Sequence, residues 1–295
     1  MANLKEVRNR IVSVSSTQQI TKAMKMVSAA KLRRAQDAVT QLRPYASKLK
    51  EMLENVSSSL GSSDGGSFTV ERNVKSVLII AITSNRGLCG AFNANVVKRA
   101  IYLAKTDYKN CKVSLLSIGK KADDAFKKTD YGILNSDMPK KLNELFDQLT
   151  FNNVAAIAEK VMEAFEKGQF DKVILVYNQF KNAAVQILAT EQLLPVQKPA
   201  ANNKGKKQSI DYIFEPSKEF IVIELIPKLL KIQLYKALLD SHASEHGARM
   251  TAMHKATDNA GSLIKDLKLS YNKARQAAIT NEILEIVGGA EALNG

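Results

Sequence analysis

The sequence predicts an α/β protein: long helices at the two ends of the chain pair as an antiparallel coiled coil, and an α/β domain is inserted between them. Three observations lead there. After Pro227 no proline occurs up to the chain end, and apolar or small residues recur at Met253, Ala256, Ala260, Leu263, Leu267, Tyr271, Ala274 and Ala278. Those steps alternate between three and four with one extra four, the period of a coiled-coil seam rather than of a strand. The N-terminal segment repeats the pattern at Leu4, Val7, Ile11 and Val14, then at Ile20, Met24 and Val27. Between these arms, short β-branched runs alternate with helical segments, which signals a mostly parallel sheet. Each arm has a stripe to bury, and the simplest cover for each is the other.

The elements follow in order. Residues 1–57 form the N-terminal coiled-coil helix, with Ala29, Ala30 and Ala35 small enough for close helix approach, and with Pro44 expected to kink or break it. Residues 58–73 are a linker opened by a Ser/Gly run. Residues 74–215 form the α/β, Rossmann-like domain. Within it the pattern predicts strands at 74–82, 112–118, 172–177 and 183–190, the last antiparallel through a turn at 178–182. A short strand at 132–134 and an edge strand at 210–214 are also expected. Helices are expected at 93–105, 120–127 and 151–167, and a mobile excursion at 195–209. Residues 216–295 form the C-terminal coiled-coil helix, in which Pro227 suits a first turn because its missing N–H is an orphan there. Sixty residues at 1.5 Å each would make a rod of roughly 90 Å.

The 295 residues carry a formal charge of +14. Such a balance points to nucleic acid, an anionic membrane surface or an acidic protein partner. It is concentrated: residues 1–50 hold eleven Lys/Arg against Glu6 and Asp37, whereas the chain from 240 on is near neutral. The longest purely apolar run, 77–82, is far short of the roughly 18 residues that a membrane span needs. The N-terminus lacks the apolar segment of a secretory signal, and helical periodicity beginning within a few residues of Met1 argues against a transit peptide. Cys89 and Cys111 are expected to be free thiols in a reducing compartment.

Four patterns could carry chemistry. His242, Glu245 and His246 form an H-x-x-E-H string, and the two histidines would share a helix face as zinc ligation requires. No further helix downstream offers a third ligand, so the string is expected to be polar residues on a solvated coiled-coil face. The loop 83–90 joins a strand to a helix, where phosphates often bind. Its G-x-x-G is neither a dinucleotide fingerprint nor a P-loop, so a tight turn needing small residues is expected. Cys89 has no histidine near it in sequence to act as its base. The basic N-terminal helix could grip phosphates, yet Tyr45 is its only aromatic for base stacking. An acidic protein surface explains the charge equally well, and a solvated charged face remains the third reading.

Several stretches are recognisable. Residues 17–27 (TQQITKAMKMV) followed by Lys31, Leu32 and Arg33 resemble the N-terminal signature of the gamma subunit family of F-type ATP synthases, of bacterial type. Residues 86–90 (RGLCG) resemble that family's central strand–helix turn. Residues 243–245 (ASE), 248–250 (ARM), Met253, 256–260 (ATDNA) and 271–280 (YNKARQAAIT), with Glu282, Glu285 and Ile286, resemble its C-terminal helix. The resemblance covers essentially the whole chain and departs in the linker 57–73 and the loop 196–209. His246 stands where an amide is expected, and no cysteine pair of a chloroplast-type regulatory insertion is present, so thiol switching is not expected.

The resemblance implies a non-catalytic rotor without cofactor or metal. The paired helices would stand inside a ring of three alpha and three beta subunits. The α/β domain would rest on the membrane ring of c subunits beside epsilon, with no nucleic-acid partner. Proton-driven rotation of the c ring would then drive the beta sites through their conformational cycle. It implies contact with acidic beta loops through Lys22, Met24, Lys25, Lys31, Arg33, Arg34 and Arg249, and with a beta catch loop through Arg275, Gln276, Thr280 and Glu282. The location it implies is peripheral, on the cytoplasmic face of the bacterial inner membrane. A basic coiled-coil protein that binds nucleic acid or acts as a scaffold is the alternative reading.

Overall fold

The computed structural model describes residues 4–58, 67–127, 129, 131, 138–139, 142–196 and 218–294. The chain divides into two compact units, Met1–Ala29 with Arg249–Gly295, and Ala30–Ala248. Two helices contribute to both: α1 (Leu4–Ser58) and α5 (Lys218–Asn294).

In the first unit the two helices pack antiparallel. The hydroxyls of Thr21 and Thr257 lie 2.8 Å apart, and Gln18 Nε2 donates to Thr257 O at 3.4 Å. Gly261 lets Gln18 approach, since a Cβ there would stand 3.0 Å from that amide nitrogen. The seam on α1 differs from its sequence reading. Ile20 and Val27 are 61% and 58% exposed, whereas Thr21 and Ser28 are buried. The seam keeps a strict alternation of three and four through Leu4, Val7, Ile11, Val14, Gln18, Thr21, Lys25 and Ser28, all buried or half-buried. At Thr21 periodicity overrides polarity, because its hydroxyl finds partners: it donates to Gln18 O at 3.0 Å and lies 2.8 Å from the Thr257 hydroxyl. On α5, Leu263 is 42% exposed and Ile264 takes its place, which moves the extra step of four to Ala256–Ala260–Ile264.

The second unit is built on a four-stranded sheet of β1 (Ser76–Ile82), β2 (Lys112–Ile118), β3 (Lys172–Phe180) and β4 (Gln186–Leu194). Its order is β2-β1-β3-β4, with the first three strands parallel and β4 antiparallel to β3. Ile79 at the centre pairs with Leu115 on one side and Ile174 on the other. Because side chains alternate along a strand, the unbroken apolar run of β1 feeds two cores. Val77, Ile79 and Ala81 join Val96 and Ala100 of α2 (Phe92–Tyr102) and Ala122 and Phe126 of α3 (Lys120–Phe126). Leu78, Ile80 and Ile82 join Val154, Val161 and Phe165 of α4 (Phe151–Glu166) and Ile226, Leu230, Leu234 and Leu238 of α5. The early part of α5 therefore covers the sheet.

Several boundaries move. Pro44 neither ends nor interrupts α1; it is exposed, so the carbonyl freed at Thr40, also exposed, faces water. Pro227 lies inside α5 rather than in its first turn, because the helix begins at Lys218. β4 begins three residues later than expected because Asn182 Oδ1 accepts the N–H groups of Ala184 and Val185, at 3.0 and 2.7 Å, and holds them in the turn. The strands expected at 132–134 and 210–214 lie outside the described residues, as does most of the excursion.

Candidate functional site

The turn between β1 and α2 was one candidate, and its polar groups are already committed. Ser84 N–H donates to Asn93 Oδ1 at 2.9 Å, and Ser84 Oγ donates to Arg86 O at 2.6 Å. Asn93 Nδ2 reaches Cys89 Sγ at 3.1 Å, which buries the thiol among amides rather than beside a base. Asn85 Nδ2 donates to Asn143 O at 2.6 Å, and its Oδ1 accepts Lys120 N–H at 3.0 Å. Gly90, at φ +60°, supplies the left-handed backbone that closes the turn. Thr83 Oγ1 accepts the N–H of Ala122 at 2.9 Å, and Gly119 lies directly against the Thr83 carbonyl. This is a self-satisfied corner rather than a phosphate cradle.

The histidine string departs from expectation in the other direction. Ser241, Ser244, Glu245 and His246 are buried in the second unit, not spread on a solvated face. His242 and His246 approach at 3.2 Å between their Nε2 atoms with rings edge to face, and His242 stacks on Phe146 at 6.1 Å. Among the described residues no group of three potential ligands forms around them. The i, i+4 spacing that suggested zinc serves instead to share a ring proton between neighbours. Close by in sequence, Gly247 admits the β3–β4 turn, since a Cβ there would stand 3.2 Å from Ala183 O.

One polar cluster was not anticipated. Arg43 Nη2 of α1 donates to Asp240 Oδ1 at 3.1 Å and to Phe180 O at 3.0 Å. Tyr177 OH donates to Glu191 Oε1 at 2.7 Å beside it. Burial pushes the Tyr177 phenol well up, and the charges of Glu191 and Asp240 push it further, so it stays protonated. Burial also raises the Asp240 carboxyl, while the Arg43 guanidinium pulls it back in part. The sequence held one signal for it: Asp240 is a lone acid directly after the apolar pair Leu238-Leu239.

The raised pKa has a consequence for stability. A carboxyl whose folded pKa lies above its unfolded 3.8 opposes folding when ionised, and that cost is absent below 3.8 and fully present above the raised value. Asp240→Asn removes this dependence. Relative to wild type, its urea midpoint is expected to be higher at about pH 7 than at about pH 4. A difference that is flat with pH would show that Asp240 is not strained by burial.

The residues expected to meet partners fall in both units. In the first, Lys22 is exposed and Met24 and Lys25 are half-buried along α1. Arg275, Gln276, Thr280 and Glu282 are exposed on α5, with Thr280 Oγ1 bonded back to Gln276 O at 2.9 Å. Arg249 is only 7% exposed, so its charge is turned into the chain. In the second unit Lys31, Arg33 and Arg34 are all exposed. Past the seam, Ile279, Ile283, Leu284, Ile286 and Val287 are exposed apolar residues near the end of α5. No described helix is long and apolar enough to cross a membrane.

Residues 3–293 match a family model described as ATP synthase. The chain is 61% identical over 295 residues to the ATP synthase gamma chain of Christiangramia forsetii, covering all of both sequences. It superposes with a TM-score of 0.58 and 28% identity on a chain of the Tetrahymena thermophila mitochondrial ATP synthase central stalk and c-ring, covering 80% of this chain and 99% of that one. A chain of the Euglena gracilis mitochondrial ATP synthase (OSCP, F1 and c-ring) gives a TM-score of 0.66 at 25% identity, covering 98% and 94%.

Proposed function

Because the chain belongs to the ATP synthase gamma chain family and is thus a central-stalk subunit rather than a catalytic one, we propose that it works as a torque shaft whose two terminal helices turn inside a ring of alpha and beta subunits. The observation that carries this reading is the match over the whole length of both sequences. The surface supports it. Lys22, Lys31, Arg33 and Arg34 are exposed cations suited to acidic loops of the ring, and the bare apolar end of α5 suits an apolar enclosure. Arg275, Gln276, Thr280 and Glu282 lie exposed before and within that end, where a catch loop of beta would reach them. Lys25 and Met24, half-buried on the seam side, would support the face from below, and Arg249 would brace it from within.

In this reading the α/β body at 74–215 takes the push from a membrane ring of c subunits and contacts epsilon, while 1–57 and 216–295 carry the motion to the ring. Rotation presents different contacts to each beta subunit in turn, and so biases each through its conformational states in either direction of the reaction. In this reading the chain works peripherally, on the cytoplasmic face of the membrane. The nucleic-acid alternative has little to stand on, since α1 offers bases only Tyr45 to stack against.

The test is co-purification from the native cell extract. Alpha and beta subunits are expected with this chain in threefold excess each; recovery of the folded chain without them would overturn the reading. The contact residues have their own test. Arg275→Ala with Gln276→Ala is expected to lower proton pumping per ATP hydrolysed several-fold in membrane vesicles, with assembly intact. Unchanged pumping per ATP would remove those two residues from the contact.

A further inference from the structure

We propose that Arg43 and Asp240 form a register pin that locks both shaft helices to the end of strand β3, so that the α/β body and the helices turn together; this rests on the rotor reading above. The guanidinium of Arg43 on α1 meets the carboxylate of Asp240 on α5 and the carbonyl of Phe180 at the end of β3, at 3.1 and 3.0 Å. One side chain thus fastens three elements of the second unit.

Three observations favour a positioning role over a stabilising one. First, the pair is poorly placed for stability. The Asp240 side chain is fully buried, whereas that of Arg43 is 46% exposed, so a desolvated carboxylate is matched with a partly hydrated cation. Asp240 Oδ2 has no hydrogen-bond partner among the described residues. Buried ion pairs of this kind are often replaceable by apolar residues without loss of stability, and their best-attested use is to fix register.

Second, the rest of the joint is mainly apolar: Gln233 Nε2 donates to Gln192 O at 3.3 Å on β4 and Lys231 pairs with Glu159 on α4, but neither tie reaches α1. α5 meets the sheet through Ile226, Leu230, Leu234 and Leu238. Apolar burial is non-directional, so it resists separation far better than it resists sliding or twisting. A shaft needs resistance to twisting.

Third, α1 has no other directional tie among its described side chains in this unit. Among its described residues from 30 to 52, Arg43 alone hydrogen-bonds through its side chain outside its own helix; the Lys48–Glu51 pair stays within it. Nearby, Gly247 lets the β3–β4 turn seat against α5, since a Cβ there would stand 3.2 Å from Ala183 O. The hairpin end therefore meets α5 both at the pin and by this close approach.

Removing Arg43 alone would strand a buried carboxylate and threaten the fold. The informative variant is therefore Arg43→Met with Asp240→Leu, which replaces the pin with apolar side chains of similar size. It is compared with Arg43→Lys, which keeps the charge. Each is assembled into the complete ATP synthase in membrane vesicles, and three quantities are read: recovery of alpha and beta with the chain, ATP hydrolysis, and proton pumping per ATP. The double variant is expected to assemble and hydrolyse ATP at the wild-type rate while its pumping per ATP falls at least about threefold, as the helices slip against the body. Arg43→Lys is expected to retain most of the pumping, which a purely structural loss would not allow the double variant to separate from it. An assembled double variant that pumps at the wild-type ratio would overturn the pin. A double variant that unfolds as a purified chain would also overturn it, because the pair would then be stabilising rather than positioning. Failure of even the wild-type chain to co-purify with alpha and beta would strike the rotor reading instead.

Discussion

Gly119→Ala is expected to destabilise the second unit by about 3 kcal/mol or more, since two independent penalties fall on one methyl group. Gly119 sits at φ +103°, a backbone conformation that side-chain-bearing residues rarely adopt. Its Cβ would stand 2.1 Å from the carbonyl oxygen of Thr83, which is backbone and cannot rotate aside. That carbonyl belongs to the corner where Thr83 N–H pairs with Ile118 O and Thr83 Oγ1 receives Ala122 N–H, so pushing it away unfastens β1, β2 and α3 together. For a unit of this size the loss corresponds to a fall in melting temperature of about 6–12 °C. Thermal unfolding of the dilute chain followed by circular dichroism measures it. A shift within experimental error would mean that the β1–α2 corner yields easily and does not anchor the sheet.

The second large effect concerns association. Reversing the exposed charges by Lys22→Glu, Lys31→Glu, Arg33→Glu and Arg34→Glu takes the formal charge from +14 to +6 and replaces cations with acids on α1. If these positions meet acidic loops, steering is lost and like charges are brought together, so the rate of assembly with alpha and beta subunits should fall by about 10-fold to 1,000-fold at low salt. The wild-type rate should itself drop with added salt, and the variant's should not. All four positions are exposed and glutamate is a good helix former, so α1 is expected to hold. Equal assembly rates for the two chains would remove these four positions from the interface.

The fold was legible wherever one period repeated without interruption. The central parallel strand declared itself because burial on both faces leaves β1 apolar from Val77 to Ile82. The helical arms were legible from their stepping, yet the partners on the seam were misassigned at Ile20, Val27 and Leu263. Side-chain polarity misled there: a threonine or serine can sit on a close-packed seam when a hydroxyl or carbonyl lies opposite, and no local pattern announces that partner. The histidine string misled for a related reason. His246 reads as surface until Phe146 and the hairpin turn are known to cover that stretch of α5. Least legible was the pairing of Arg43 with Asp240, because 197 residues separate them and neither belongs to a repeat. Only the lone acid directly after Leu238-Leu239 hinted at it.

The inverted seam of the first unit also bears on how a cell must make this protein. Hydroxyls line the inside of the helix pair, while Val12, Ile20, Met26 and Val27 face outward on α1 and the apolar end of α5 stands bare. Copies synthesised beyond the supply of their partners would meet water, and one another, with those side chains. Surplus chain should therefore aggregate or be degraded, and its half-life in the cell should follow the abundance of the subunits that enclose it. Stoichiometry would then be enforced after translation, by the stickiness of an uncovered shaft.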